Sequence, residues 1–360
     1  MYQSIRSLLF KLEPETAHSL TLQLVRTAGL LPPARWLLER LYSAPSKPVE
    51  AFGLKFKNPV GLAAGYDKDG IAVAGLSALG FGHIEIGTVT LRPQPGNPAP
   101  RVFRLVDDEG VINRMGFPSL GSEYMQMRLN PALARDFQEW LIGIPYRKAR
   151  LRRNQQAAML GVNLGKNKDT PNEQAAYDYL ALLQSFAPLA DYLTINVSSP
   201  NTQGLRNLQG RAALQSLLTQ LQAQRIHEQK RWEKSLPLLV KLAPDLSESE
   251  LDDAVDVILS TGMDGIIAAN TTLARDGLRP GPLVQETGGL SGRPLTTLSD
   301  AFLSRVVQRV GGKIPVIGVG GIMNAQDAKR KLDLGATLVQ VYTGLIYTGP
   351  GLVKQIVSQL

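Results

Sequence analysis

The 360-residue sequence contains no cysteine. Disulfides, thiolate nucleophiles and thiolate-bound zinc are therefore excluded. Histidine is almost as scarce: His18, His83 and His227 stand far apart, and no metal centre is expected from them. No unbroken apolar run reaches the roughly 18 residues that a membrane-spanning helix needs. The N-terminus lacks the apolar core and small-residue cleavage site of a signal peptide, and it is not the Arg/Ser-rich stretch of a transit peptide. No carboxylate pair is placed for glycoside hydrolysis, and no G-x-S-x-G elbow occurs. Acidic residues are outnumbered, 31 against 39 Lys and Arg, giving a formal charge of +8. That balance suits an anionic ligand or an anionic membrane surface. It is weak grounds for nucleic acid, and none is expected.

What is present is ordinary globular material, 44% hydrophobic and 19% charged, long enough for one large α/β domain with a small appendage. The first 45 residues stand apart. "SIRSLLFKL" places Ile5, Leu8, Leu9 and Leu12 at helical spacing. "PETAHSLTLQLVRTAGLL" predicts a second helix ending near Gly29, and "PPARWLLERLY" a third with prolines in its first turn. Their wide apolar faces either pack on the main domain or rest in a membrane interface with their cations near headgroups. "SAPSKPVE" (43–50) is the linker, which divides the chain into an extension, 1–45, and a main domain, 46–360.

Beyond residue 50 the chain alternates. "FGLKFKNP" predicts a small β-hairpin. Eight short apolar β-rich runs follow, at 58–65, 83–89, 158–165, 191–198, 236–243, 264–270, 314–321 and 337–343. Helical patterns such as "NEQAAYDYLALLQSFA" and "SESELDDAVDVILSTG" separate most of them. Near-continuous apolar strands suit a parallel sheet buried on both faces. Eight such units predict a (β/α)8 TIM barrel of the α/β class, with the helical extension at its N-terminus. A doubly wound sheet is the alternative, but no G-x-G-x-x-G follows the first strand. Between the second and third strands, "VFRLVDDEGVINRMGF" predicts a hairpin turning at Asp108, Glu109 and Gly110. The basic segment 141–155 follows it and reads as a solvated face.

In such barrels the chemistry sits at the C-terminal ends of the strands. Those ends carry Asp67 and Lys68; Thr88; Asn163 and Lys166; Asn196, Ser199 and Asn201; Lys241; Asn270, Thr271 and Thr272; Gly320 and Gly321; and Tyr342, Thr343 and Gly344. Amides dominate. Their paired donors and acceptors suit a flat heterocycle with amide or imide edges. "GVGGI" after strand seven and "YTG" after strand eight lie where barrels bind phosphate. Lys68 and Lys241 bring cations into the barrel mouth, for anion stabilisation or, alternatively, as Schiff-base lysines. Ser199 has no histidine nearby to activate it. His83 and Glu85 begin a strand, where Glu85 reads as a buried structural carboxylate.

Long ordered motifs then resemble one family. "NPVGLAAGYDKDG", "GFGHIEIGTVTLRPQPGNPAPRVFRL", "INRMGF", "NLGKNKDT", "INVSSPNTQGLR", "VKLAPDL", "NTTL", "TGGLSGRPL", "PVIGVGGI" and "LVQVYTGLIY" resemble the class 2, quinone-linked dihydroorotate dehydrogenases over nearly the whole chain. The resemblance implies oxidation of dihydroorotate to orotate in pyrimidine biosynthesis, with FMN as hydride acceptor and a membrane quinone as final acceptor. It implies an FMN phosphate at Gly320, Gly321, Tyr342 and Thr343, and further cofactor contacts from Ala64, Gly65, Lys68, Thr88, Asn163, Asn196, Lys241, Ala269 and Gly292. It implies substrate contacts from Lys68, Asn113, Arg114, Met115, Gly116, Phe117, Asn196, Asn201, Asn270 and Thr271. Ser199 becomes the base that takes the C5 proton. His18 and Arg104 become quinone head-group contacts beside an apolar tunnel under the first two helices. The resemblance further implies peripheral attachment through the N-terminal helices, on the cytoplasmic side of the inner membrane, as a monomer or weak oligomer. This chain departs from the family pattern at Ala269, where a hydroxyl is common, at Pro118, where asparagine is usual, and in segment 141–155, which looks like an insertion.

Overall fold

The computed structural model describes residues 2–130 and 158–360; the basic segment 141–155 lies outside them. Three helices, α1 (Tyr2–Leu9), α2 (Pro14–Leu30) and α3 (Pro32–Tyr42), precede the first strand. Prolines at the start of α2 and α3 occupy positions whose N–H has no helical partner, and the Glu13 carboxylate caps α2 by accepting from Thr16 N at 2.8 Å.

A hairpin of β1 (Val49–Ala51) and β2 (Leu54–Phe56) follows. The hairpin expected within 52–59 is thus centred earlier, with Phe52 and Gly53 as its turn rather than its first strand. Its phenylalanines close the N-terminal end of the barrel: Phe56 meets the His83 ring edge-on at 5.4 Å between centroids. Burial holds His83 neutral by pushing its pKa down to about 3.

The eight predicted strands are β3 (Val60–Leu62), β4 (His83–Val89), β7 (Met159–Leu164), β8 (Tyr192–Asn196), β9 (Leu238–Leu242), β10 (Gly265–Ala268), β12 (Val316–Val319) and β13 (Leu338–Val341). All are parallel, and β3 pairs with both β4 and β13, so the sheet closes on itself. Closure rules out the doubly wound alternative, whose sheet has two free edges. The helical patterns between strands form as expected. Ser247 and Glu250 make a reciprocal capping box at the start of helix Glu248–Ser260, an arrangement worth about 1 kcal/mol. Helix Arg211–Trp232 runs further than its apolar pattern indicated, its last turn carried by Lys230 and Arg231 at the negative end of the helix dipole.

The predicted hairpin of β5 (Val102–Leu105) and β6 (Gly110–Asn113) forms. It acquires a third strand, β11 (Gly289–Gly292), from the connection after β10. The run "GLSG" has almost no β-forming side chains, so only its partner strand reveals it. This small sheet stands beside the C-terminal mouth of the barrel.

Inside the barrel, Glu85 is fully buried and accepts four hydrogen bonds: from Asn163 Nδ2 (2.8 Å), Gln340 Nε2 (3.0 Å), Thr194 Oγ1 (3.1 Å) and Tyr192 OH (3.3 Å). A buried carboxylate is tolerable on those terms. The expected structural role for Glu85 agrees with this placement.

The extension is joined to the barrel by a close helix crossing. A Cβ on Gly29 of α2 would lie 2.3 Å from the backbone nitrogen of Gly75, which sits in α4 (Val73–Ala78). A Cβ on Gly75 would lie 2.1 Å from the carbonyl oxygen of Val25. Only glycine at both positions permits that approach. Tyr2 adds a hydrogen bond from its hydroxyl to the carbonyl of Ile346 at 2.6 Å. Among the described residues, ten of the sixteen exposed large apolar side chains lie on α1–α3 or next to them, including Leu8, Leu24, Leu30 and Trp36.

Candidate active site

A cavity opens at the C-terminal ends of the strands. Ala64, Gly65, Lys68, Thr88, Asn196, Lys241, Ala269, Gly292, Gly320, Gly321, Tyr342 and Thr343 line it, as do Asn113, Met115, Gly116, Phe117, Ser199, Asn201, Asn270 and Thr271. Residues from all parts of the barrel are thus brought to one space.

Two predicted residues are not on the wall. Asn163 stands beneath it. Its Oδ1 accepts from Thr88 Oγ1 (2.5 Å) and Asn196 Nδ2 (3.0 Å), while its Nδ2 binds Glu85. It therefore holds two wall residues in place. Arg114 turns away from the cavity: its guanidinium pairs with Glu286 at 2.5 Å and lies 4.5 Å from the Phe103 ring centroid.

The amides form one connected chain. Asn270 Nδ2 donates to Ser198 Oγ (2.9 Å), and Ser198 Oγ donates to Asn196 Oδ1 (2.9 Å). Asn196 Nδ2 continues to Thr88 and Asn163, and Glu85 lies below. Ser198 was not among the expected site residues, although the doubled serine of "NVSSPN" was its signal. Asn201 Nδ2 reaches Asn113 Oδ1 at 3.4 Å. Arg206 donates to the Ser198 and Thr271 carbonyls at 3.1 and 3.2 Å and pairs with Asp245 at 2.8 Å, pinning the loop after β8 to the end of β10.

Ser199 is buried and its Oγ accepts from Asn201 N at 3.2 Å. Among the described residues, neither a histidine nor a carboxylate lines the cavity with it. The Thr202 hydroxyl is buried with no hydrogen-bond partner among the described residues.

The two lysines differ. Lys68 Nζ donates to the Gly65 carbonyl at 2.7 Å, and burial brings its pKa down to about 8. Lys241 is buried and makes no hydrogen bond or ion pair among the described residues. Burial lowers its pKa, while the Glu85 carboxylate favours its charged form. A buried ammonium on a cavity wall suits an anionic group bound there.

At the opposite wall Gly320 and Gly321 take φ of 101° and 70°. The Ser299 and Thr296 hydroxyls donate to their carbonyls, each at 3.0 Å, and Lys331 Nζ backs Ser299 at 2.9 Å. With its carbonyls engaged behind it, this turn offers its N–H donors to an anion. Thr343 Oγ1 shares a 2.9 Å hydrogen bond with Ser291 Oγ beside it. Ala269 and Pro118 both line the cavity, where the methyl of Ala269 provides no hydrogen bond.

His18 and Arg104 lie on the extension side. The His18 ring meets Tyr66 edge-on at 5.0 Å, and Tyr66 meets the cavity residue Tyr342 at 5.7 Å. Burial and the nearby Lys68 push His18 down to about 3, so it is neutral. Arg104 lies 4.7 Å from the Phe10 centroid and donates to the Leu9 and Leu12 carbonyls between α1 and α2. Tyr66 was missed as the aromatic link between helix and cavity; its position before Asp67 and Lys68 was the available signal.

Comparison with known proteins agrees with this architecture. Residues 47–360 match the family model described as dihydroorotate dehydrogenase. A dihydroorotate dehydrogenase (quinone) of Anaeromyxobacter sp. (strain Fw109-5) is 47% identical over 356 residues, 99% of this chain and 91% of the relative. One from Escherichia fergusonii is 46% identical over 359 residues, covering 100% and 99%. Among solved structures, DHODH from Eimeria tenella in complex with ferulenol aligns with a TM-score of 0.83 at 40% identity, covering 96% of this chain and 90% of that one.

Proposed function

Because the chain belongs to the dihydroorotate dehydrogenase family, we propose that its cavity holds FMN and dihydroorotate together, with Ser199 as the proton-accepting group. The enzyme is a quinone-linked oxidoreductase of pyrimidine biosynthesis that converts dihydroorotate to orotate. The observation that carries the site reading is the convergence of a buried unpaired lysine, a lone serine and linked amides in one cavity.

The residues fit a flavin mononucleotide. The Gly320–Gly321 turn and Thr343 suit its phosphate, and Lys241 suits a ring edge that gains negative charge. Ala64, Gly65, Thr88, Asn196 and Gly292 complete the cradle, with Asn163 supporting it from below. When bound, the flavin accepts the hydride that leaves C6 of dihydroorotate. Asn113, Asn196, Asn201 and Asn270 match the amide and imide edges of the substrate ring, and Lys68 matches its carboxylate. Ser199 Oγ takes the C5 proton while the C5–C6 double bond forms. A serine hydroxyl accepts a proton only as it gives up its own. The unpartnered Thr202 hydroxyl, or a water, is the candidate receiver.

Residues 1–45 are assigned to quinone access, with His18 and Arg104 as head-group contacts. The clustering of exposed apolar side chains on α1–α3 supports docking of this extension on the cytoplasmic face of the inner membrane. No helix among the described residues is long and apolar enough to cross a membrane.

Anaerobic addition of dihydroorotate to purified protein tests the core reading: the yellow absorbance should bleach, and a colourless protein without bound flavin defeats it. Two further results are expected. Gly321→Val should weaken FMN retention by about tenfold or more, because a non-glycine residue in the left-handed region costs about 1–3 kcal/mol. Its Cβ would also fall 2.4 Å from Thr296 Cα. Flavin fluorescence on release measures this. Orotate affinity should fall as pH rises through about 8, where Lys68 loses its charge. Titration from pH 7 to 10 should show the dissociation constant rising, by up to about tenfold per pH unit, and Lys68→Met should remove that dependence.

A further inference from the structure

Glu15, Arg101 and Asn97 lie outside the cavity and outside the roles assigned above, yet they form a continuous polar connection that ends on the serine loop. Glu15 belongs to the first turn of α2, one turn before His18. Arg101 grips both of its carboxylate oxygens, NH2 to Oε1 at 2.6 Å and Nε to Oε2 at 3.0 Å. The Arg101 guanidinium holds the Glu15 carboxyl below the usual carboxylate range. From its other side, Arg101 NH1 donates to the carbonyls of Pro95 (2.7 Å) and Asn97 (2.8 Å). This fixes the turn that carries the Asn97 side chain. Asn97 Nδ2 then donates to the carbonyls of Arg114 (2.9 Å) and Asn201 (3.1 Å), and its Oδ1 accepts from Lys168 Nζ at 3.2 Å. Asn201 in turn gives its N–H to Ser199 Oγ.

The loop from Ser198 to Gly204 lies in neither helix nor strand, so side chains must set its position. Arg206 and Asn270 hold its inner side, as described above. Asn97 holds its outer side, and Asn97 is itself braced by Arg101 against the extension. Both charges of the pair are largely buried, with side-chain exposures of 15% and 27%. Loss of either would leave the other uncompensated.

We infer that Glu15, Arg101 and Asn97 are positioning residues for Ser199 and Asn201, so that the N-terminal extension shapes the oxidation of dihydroorotate as well as quinone access. The inference rests on the assignment of Ser199 to proton transfer. A misplacement of the order of 1 Å can cost about 100-fold in rate, so a loop freed on one side should lose rate in that half-reaction alone.

Rapid mixing of the flavin-loaded full chain separates the halves: anaerobic bleaching by dihydroorotate, then recolouring by a short-chain quinone. Asn97→Ala should slow the limiting bleaching rate by about tenfold to 100-fold, with flavin content, thermal unfolding and recolouring as in the wild type. Glu15→Gln should slow bleaching in the same direction. The double variant should be no slower than Asn97→Ala alone, as expected for two members of one connection. A Glu15→Gln effect confined to recolouring, additive losses in the double variant, or unaltered bleaching in Asn97→Ala overturns the inference. Should Glu15→Gln fail to fold, Asn97→Ala decides alone. Failure of dihydroorotate to bleach the wild type would instead defeat the functional reading itself.

Discussion

Ser199→Ala is expected to slow bleaching of the bound flavin by dihydroorotate by about 10²–10⁴-fold, the usual contribution of a positioned acid–base group. That corresponds to roughly 3–5 kcal/mol of barrier. Orotate affinity should change by no more than about threefold, because Asn113, Asn196, Asn201 and Asn270, the residues proposed for the ring's amide edges, remain linked to their own supports. The distinction is decisive. A serine that only bound substrate would lose affinity and rate together. Among the described residues its Oγ has a single hydrogen bond, from the Asn201 N–H, so its removal leaves the linked amides intact. The Ser198 hydroxyl is a different matter. It bridges Asn270 and Asn196, and its loss should disturb binding as well as rate.

Removal of residues 1–45 should lower electron transfer to quinone by about 100-fold or more, since the proposed acceptor-binding surface goes with it. Binding to phospholipid vesicles should be lost at the same time. Bleaching by dihydroorotate should persist but at a reduced rate, because the truncation also removes Glu15 and leaves Arg101 without its counter-charge. The visible spectrum of the truncated protein provides the folding control. Quinone turnover unchanged by truncation would refute the assignment of His18 and Arg104.

The barrel was legible because parallel strands buried on both faces must be apolar runs, and each of the eight runs contains a barrel strand. The site was legible for a related reason. Polar residues at the ends of such runs have few structural explanations, and Asn196, Asn270 and Lys241 indeed converge. What escaped the sequence depends on contacts between distant segments. The four donors to Glu85 come from three different strands, β7, β8 and β13. β11 exists because β6 offers it a ladder, not because "GLSG" favours extension. Arg114 sits inside a motif whose neighbours line the cavity, and only its contacts with Glu286 and Phe103 reveal that it faces away. Glu15 and Arg101 are separated by 86 positions, and no periodicity connects them.

The crossing of α2 and α4 divides the extension by mutational tolerance. Its exposed leucines are interchangeable with other apolar residues, since they have no partner shape to match. Gly29 and Gly75 accept nothing larger, because one added carbon at either meets backbone at 2.3 Å or less. In a saturation screen the leucine face should drift freely while those two positions stay fixed. The tilt of the barrel mouth towards whatever surface the leucine face meets is therefore set by two missing methyl groups.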